Sequence, residues 1–414
     1  MRRLLFAGLL CCGAAAALAE GEFLPGELQV LDAIDAMPAV QAALAREDEA
    51  DARNLALARG PYGIDVSVAP TVRHENRGTS YGEWEASISR RLRLPRKAAL
   101  DRQLGEIGRE ASSLGLADAR HAGALTLLDQ WFAWLRAAGA LKLAHTQLEV
   151  ARSERAAIAR SVAAGELATL DAERADAAQA QSEAALARAE FETTRARAAL
   201  DAQFPALTPG LALPPVPTPR LDGDGSEQDI VAGMLHDNHE LAIAEAQARR
   251  QGLAAARADA ERRPDPSVGL RVIDEARGNE QAIGLVVSIP FAGGGAAPTA
   301  LAEQHLAQAM AADAAEVRNL IHSEARQLAS GITAQLASWR AADRARVAND
   351  AALARIEKAR ALGEAGFADL ALARRNAQDA RAGEWQARLD VHETRLRIEI
   401  NSHRMWARHD EHDH

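Results

Sequence analysis

Twice, about 200 residues apart, a long Ala/Arg/Glu/Leu-rich stretch is broken by a short glycine-marked segment: SVAAGELATLDAERADAAQ from Ser161 and ALGEAGFADLALARRNAQD from Ala361. The patterns around both breaks follow the same order. The 414-residue chain is therefore an internal duplication of one unit: helix, two strands, long helix, break, helix. A period this long exceeds that of any solenoid repeat and means two copies of a whole folding unit.

In the first copy, residues 28–59 alternate Ala and Leu with charges at helical spacing, Pro38 pushing the main helix downstream. The period then drops to two. Ile64, Val66, Val68 and Val72 alternate with Asp65, Ser67, Ala69 and Thr71, and after a polar connector Trp84, Ala86 and Ile88 alternate with Glu85, Ser87 and Ser89. Two such runs around a polar loop predict a β-hairpin, with strands at about 64–73 and 83–94. A long helix follows from Pro95 to about Arg160, then the break at about 161–169, then a helix from Thr169 to Gln203. The Pro-rich stretch 204–226 cannot be helical inside and divides a first repeat, 20–203, from a second, 227–406. The second copy predicts a helix over 227–262, strands at about 266–274 and 281–291, a long helix from Pro298 to Leu362, a break at about 361–369 and a last helix to about Trp406.

Lengths support a wall rather than a compact core. A long helix of about 64 residues spans roughly 96 Å, and the two shorter helices of each copy, end to end, reach roughly 85–105 Å. One continuous helix can lie beside two stacked ones, the glycine breaks marking where it reverses. The composition agrees: aromatics are only 4%, as expected for long helices and coiled coils.

Each predicted strand has the length a tilted strand needs to cross a bilayer. One face is apolar, and the other carries Asp65, Ser67, Thr71, Glu85, Ser87, Ser89, Arg91, Arg271 and Ser288, the alternation of a lipid-facing wall around a polar lumen. A soluble sheet with one solvated face shows the same alternation. Four strands cannot close a barrel, and an open edge is forbidden in lipid, so a membrane reading requires two, three or four copies.

The first residues, MRRLLFAGLLCCGAAAALAE, have a basic start, an apolar stretch and Ala17-Leu18-Ala19 as a small-residue cleavage site, so 1–19 is expected to be a signal peptide. Cys11 and Cys12 both lie in it. The residues before them are not the small ones lipoprotein processing prefers, and lipidation is not expected. The mature chain would then lack thiols, excluding disulfides and cysteine chemistry. No 18-residue apolar run follows, so no transmembrane helix is expected. A net charge of −10 argues against nucleic acid as a partner. Without a phosphate loop, GxSxG or HExxH, neither enzymatic activity nor a cofactor is expected.

The duplicated order, RSVAAGELATLDAER and RALGEAGFADLALARR at the reversals, and VVSIPFAGGG before a long helix together resemble the TolC family of outer-membrane efflux proteins. The resemblance covers nearly the whole mature chain, and it implies a mainly α fold with a small β part. Three copies would form a 12-stranded outer-membrane β-barrel above a periplasmic α-helical barrel. It further implies a passive exit duct working with a periplasmic adaptor (membrane fusion) protein and an inner-membrane pump of the resistance–nodulation–division or ABC type. By position it assigns Gly165, Glu166, Leu167, Thr169, Leu170, Gly366, Phe367, Asp369 and Leu370 to the periplasmic tip, as gate and adaptor contact. Thr169 and Asp369 are also candidate N-caps. Some relatives carry acidic residues six and nine positions after the second tip glycine; counted from Gly366, these are Leu372 and Arg375, leaving Asp171 as the nearest substitute.

The chain ends HDEHDH. His409, His412 and His414 are candidate ligands for zinc, copper or nickel and turn the substrate expectation toward heavy-metal cations, the cobalt–zinc–cadmium branch; a solvated tail is the plainer reading. His236 and His239 are expected to share a helix face, a weak metal signal. His74, His121, His145, His305 and His322 show no ligand spacing. Trp131 and Trp134 share a face of the first long helix, where inter-helix packing competes with a ligand platform. Two other functions fit the same pattern: a type I protein-secretion duct, and a soluble periplasmic coiled-coil adaptor.

Overall fold

The structure is a computed structural model describing residues 23–74, 76, 78–210, 212–220, 226–236, 238–291 and 293–408. The expected signal segment 1–19, linker residues 221–225 and the tail histidines His409, His412 and His414 lie outside the described residues.

The fold is mainly helical with one small antiparallel sheet. In chain order the elements are α1 (Glu27–Asp35), α2 (Pro38–Arg59), β1 (Ile64–Arg73), β2 (Tyr81–Arg91), α3 (Pro95–Ala163), α4 (Thr169–Gln203), α5 (Glu227–His236), α6 (His239–Ala260), β3 (Ser267–Glu275), β4 (Glu280–Ser288), α7 (Ala296–Ala361) and α8 (Phe367–Asn401). Pro38 and Pro95 open α2 and α3 at the first helical position, where a missing N–H costs nothing. The 69 residues of α3 and 66 of α7 are rich in strong helix formers. Side-chain pairs one turn apart, such as Arg346 with Asp343 and Asp350, add local support.

Several boundaries differ from the sequence expectation. The helix expected over 227–262 is two, α5 and α6, so His236 ends one helix, His239 begins another and they share no helix face. β4 stops at Ser288, two residues before Pro290, which lacks the N–H a ladder needs. The last helix ends at Asn401 rather than Trp406, because His403 adopts a left-handed conformation (φ 54°). No described helix is long and apolar enough to cross a membrane.

The chain divides into two compact units that cut across the two repeats. One comprises the described residues up to Gln41, Ala119–Asn238 and from Ile321 on. Its core includes Leu128, Phe132 and Leu135 on α3, spaced four and three apart so that one helix stripe is buried, with Leu127 beside them. Trp131 and Trp134 are part of it, their rings 5.0 Å apart, with the Trp131 indole N–H donating to the Phe23 carbonyl at 2.9 Å. Both indoles are buried, as packing between helices requires. A second cluster joins Ile230, Met234, Ile332, Leu336, Trp339, Val391 and Ile398. The Pro-rich linker is held by α8: Arg388 donates to the Val216 carbonyl at 3.1 Å, and His392 bonds the Pro217 carbonyl at 2.9 Å.

Gly139 of α3 permits the closest approach in this unit, since a Cβ there would stand 2.1 Å from Nε1 of Trp385. Gly139→Ala gains about 1 kcal/mol of helix propensity but overpacks a rigid indole, so a net loss of about 1–2 kcal/mol is expected. Chemical denaturation of the variant checks the sign.

The other unit comprises Ala42–Asp118 and His239–Leu320. It contains the whole sheet, in the order β1-β2-β3-β4 with every neighbour antiparallel. The central pair, β2 with β3, joins the two repeats, Ile88 standing opposite Leu270.

Candidate functional site

Paired residues on adjacent antiparallel strands share a face, so the register sorts every strand residue. Ile64, Val66 and Val68 stand opposite Arg90, Ile88 and Ala86; these pair with Val268, Leu270 and Val272, which pair with Val287, Leu285 and Ile283. Apart from Arg90 this block is apolar, and it is open: Val66 is 70% exposed, Ile283 79% and Leu285 73%. Among the described residues this face is left uncovered. Trp84, also exposed, lies on this face toward the loop end of the sheet, and Phe291, 95% exposed, follows β4 at the helix end.

The opposite face collects Asp65, Ser67, Thr71, Glu85, Ser87, Ser89, Arg91, Arg271 and Ser288, which the register brings together on one side. Ser67 and Ser87 hydroxyls are 2.8 Å apart, and Arg271 reaches Glu85 at 3.5 Å. Arg73 grips Glu83 through Nε at 3.0 Å and Nη2 at 2.9 Å. Among the described residues, β1 and β4 are each paired on one side only. A row of unpaired backbone N–H and C=O groups thus lines both edges of a sheet whose apolar face is bare.

Where the sheet meets the helices, the structure holds an ionic cluster that sequence reasoning missed. Lys97 and Asp265 have side chains 1% exposed and 3.3 Å apart, and Lys97 donates to Glu261 at 2.7 Å. Asp265 also accepts from the Leu94 N–H at 3.0 Å and the Tyr62 hydroxyl at 2.7 Å. Asp101 receives Arg93 at 2.9 Å and Arg257 at 2.6 Å. Arg93 turns its other donors onto the Leu57 and Ala58 carbonyls at 2.6 and 2.8 Å, satisfying the C-terminal end of α2. Burial alone would raise the Asp265 carboxyl, but the Leu94 and Tyr62 hydrogen bonds and the Lys97 charge hold it below the ordinary range; Glu261 is lowered in the same way by Lys97 and Arg257.

The two helix reversals share one backbone device. At the first, the Gly165 N–H bonds the Val162 carbonyl and the Glu166 N–H the Ser161 carbonyl; at the second, Gly363 bonds Arg360 and Glu364 bonds Ala359. Each is a Schellman motif, with its glycine left-handed at φ 79° and 77°. The counterpart of Gly165 is therefore Gly363, not Gly366. Gly366 has φ −79° and is the N-cap of α8, matching Ala168, the N-cap of α4. The recurring Gly-Glu pair, Gly165-Glu166 and Gly363-Glu364, was the signal that could have set this register.

This register corrects the capping expectations. Thr169 is the first residue of α4 and makes no cap, since Ala168 stands at the cap position with no side-chain bond. Asp369 is the third residue of α8, where its carboxylate accepts from the Gly366 N–H at 3.1 Å. Counted from Gly363, the sixth residue is Asp369 and the ninth Leu372, and Asp171 holds the place of Asp369 in the first reversal. Gly165, Glu166, Thr169, Leu170, Gly366 and Asp369 are exposed, Leu167 and Phe367 are half-buried, and Leu370 is buried. Ion pairs tie the helices just behind: Arg155 with Asp176, and Arg374 with Glu154 and, at 3.5 Å, Glu357. Gly165→Ala and Gly363→Ala should each destabilise their reversal by about 1 kcal/mol, because a Cβ disfavours the left-handed region. Gly366→Ala should cost little. Hydrogen exchange at the following helix starts distinguishes the three.

No protein-family model and no curated protein matches this chain. Solved structures do. The outer-membrane channel OprN is similar over 98% of both chains, with a TM-score of 0.75 and 18% identity. The outer membrane protein VceC of Vibrio cholerae is similar over 91% of this chain and 95% of its own (TM-score 0.73, 15% identity). The outer membrane channel CmeC of Campylobacter jejuni is similar over 91% and 85% (TM-score 0.73, 13% identity). The chain thus has the fold of outer-membrane channels, the fold that the sequence resemblance implied.

Proposed function

We propose that this chain is one subunit of a trimeric outer-membrane duct, the passive exit component of a tripartite efflux system with its helices in the periplasm. The observation that carries the reading is the two-faced sheet: an exposed apolar face, a polar face and two edges paired on one side only. Its strands are 9–11 residues long, the length of tilted transmembrane strands. In lipid such edges must be closed, and neighbouring copies are the means. Three copies give about twelve strands, within the range of closed barrels. Trp84 and Phe291, near opposite ends of the sheet, suit the aromatic girdles of such a barrel. The fold shared with OprN, VceC and CmeC supports the same reading.

In this duct the polar strand face lines the lumen and the two reversals form the gated entrance. Glu166, Leu167, Leu170 and Phe367 at the surface of the reversals contact the adaptor, and Asp171 and Asp369 contribute two carboxylates per copy to the mouth. Opening is a population shift, adaptor contacts favouring splayed helices over closed ones. Transport energy comes from the inner-membrane pump, and the duct catalyses no reaction. The cargo is small toxic solutes; the pointer to metal cations, the His/Asp-rich tail, lies outside the described residues. The test is membrane fractionation followed by mass measurement in detergent. A detergent-dependent trimer in the outer-membrane fraction is expected, and a detergent-free monomer in the aqueous fraction would overturn the proposal.

A further inference from the structure

The end of α8 repeats the backbone device of the two reversals with one difference. The His403 N–H bonds the Ile400 carbonyl and the Arg404 N–H the Glu399 carbonyl, both at 2.9 Å, and His403 takes the left-handed position at φ 54°. At the reversals that position is glycine, the residue that fills it without steric cost. A side chain held there against this preference points to something the side chain does. The His403 ring lies against His121 of α3, with centroids 5.3 Å apart and planes tilted by 32°.

We propose that His121 and His403 form a two-imidazole site for a borderline divalent transition cation, Zn²⁺, Ni²⁺ or Cu²⁺. Imidazole nitrogens bind such ions at about 2.0–2.1 Å, so two rings sharing a tetrahedral ion have centroids about 5 Å apart, the spacing seen here.

The nearby cationic side chains have carboxylate partners: Arg404 pairs with Glu399 at 2.8 Å, Arg120 with Asp35 at 2.9 Å, and Arg408 with Asp35. No group of three potential ligands exists among the described residues, so water completes the shell and the affinity is moderate, Cu²⁺ binding more tightly than Zn²⁺. The site is independent of the duct reading, since it uses neither the sheet nor the reversals.

The experiment is calorimetric titration of the full chain in detergent with Zn²⁺ alone at pH 7, beside His403→Gly, His121→Gln and a chain lacking 409–414. His403→Gly relieves the left-handed strain, so its metal-free melting temperature should be unchanged or higher, while its tightest zinc affinity falls at least tenfold. His121→Gln should lose a similar factor, and removal of the tail should leave this site in place. Tightest binding that survives His403→Gly unchanged, or that disappears with the tail while both imidazoles remain, overturns the proposal.

Discussion

Replacing Lys97 with methionine should destabilise the protein by about 3–5 kcal/mol, because Asp265 is then left buried without its cation. The size follows from the surroundings: both side chains are 1% exposed, so water cannot replace the lost partner. Methionine retains most of the volume, which separates the charge effect from a cavity effect. The double variant Lys97→Met/Asp265→Asn should recover a large part of the loss, as neutralising both partners removes the uncompensated charge. Urea unfolding of the wild type, Lys97→Met, Asp265→Asn and the double variant in one detergent measures the cycle; equal losses in Lys97→Met and the double variant would show that Lys97 matters by packing alone. The same cluster sets an acid limit. Asp265 and Glu261 are both lowered in the folded state, so their contribution is complete above the ordinary carboxylate range. It is lost as pH falls through their depressed values, so wild-type melting temperature should decline below about pH 4, and the double variant should show a shallower decline.

The second large effect concerns the bare apolar face. Leu285→Arg, at a position paired with Leu270 in the middle of that face, should cost about 2–4 kcal/mol if the face meets lipid and reduce assembly into the outer membrane. Ser89→Arg, on the polar face opposite Asp65, should be nearly neutral. On a sheet facing water, both substitutions fall at exposed positions and both should lie within about 0.5 kcal/mol. The contrast between them, read as heat-resistant trimer in membrane fractions, tests the membrane assignment without depending on the identity of the pump.

The two faces were legible before the structure because a strand's side chains alternate by covalent geometry. Val66, Leu285 and their neighbours could be sorted from Ser67 and Arg271 by counting. The reversals were legible as breaks, yet the sequence alone does not show that Gly363 rather than Gly366 holds the left-handed position. Glycine marks that a turn can occur, whereas hydrogen bonding to Arg360 and Ala359 decides where it does. The Thr169 cap failed for the same reason, the helix start being set by the preceding turn rather than by the best capping residue nearby.

What the sequence alone determined is what depends on near neighbours: the change of period from helix to strand and back, the lengths of the long helices, the duplication and the polar–apolar sorting of each strand. What only the tertiary structure decided are meetings of residues far apart in the chain: Lys97 with Asp265, Arg93 with Asp101 and the end of α2, Gly139 with Trp385, and His121 with His403. Periodicity is a local property, written along the chain by side-chain geometry. Charge burial and ring pairing arise from packing, and no spacing in the sequence encodes which distant helix a given side chain will face.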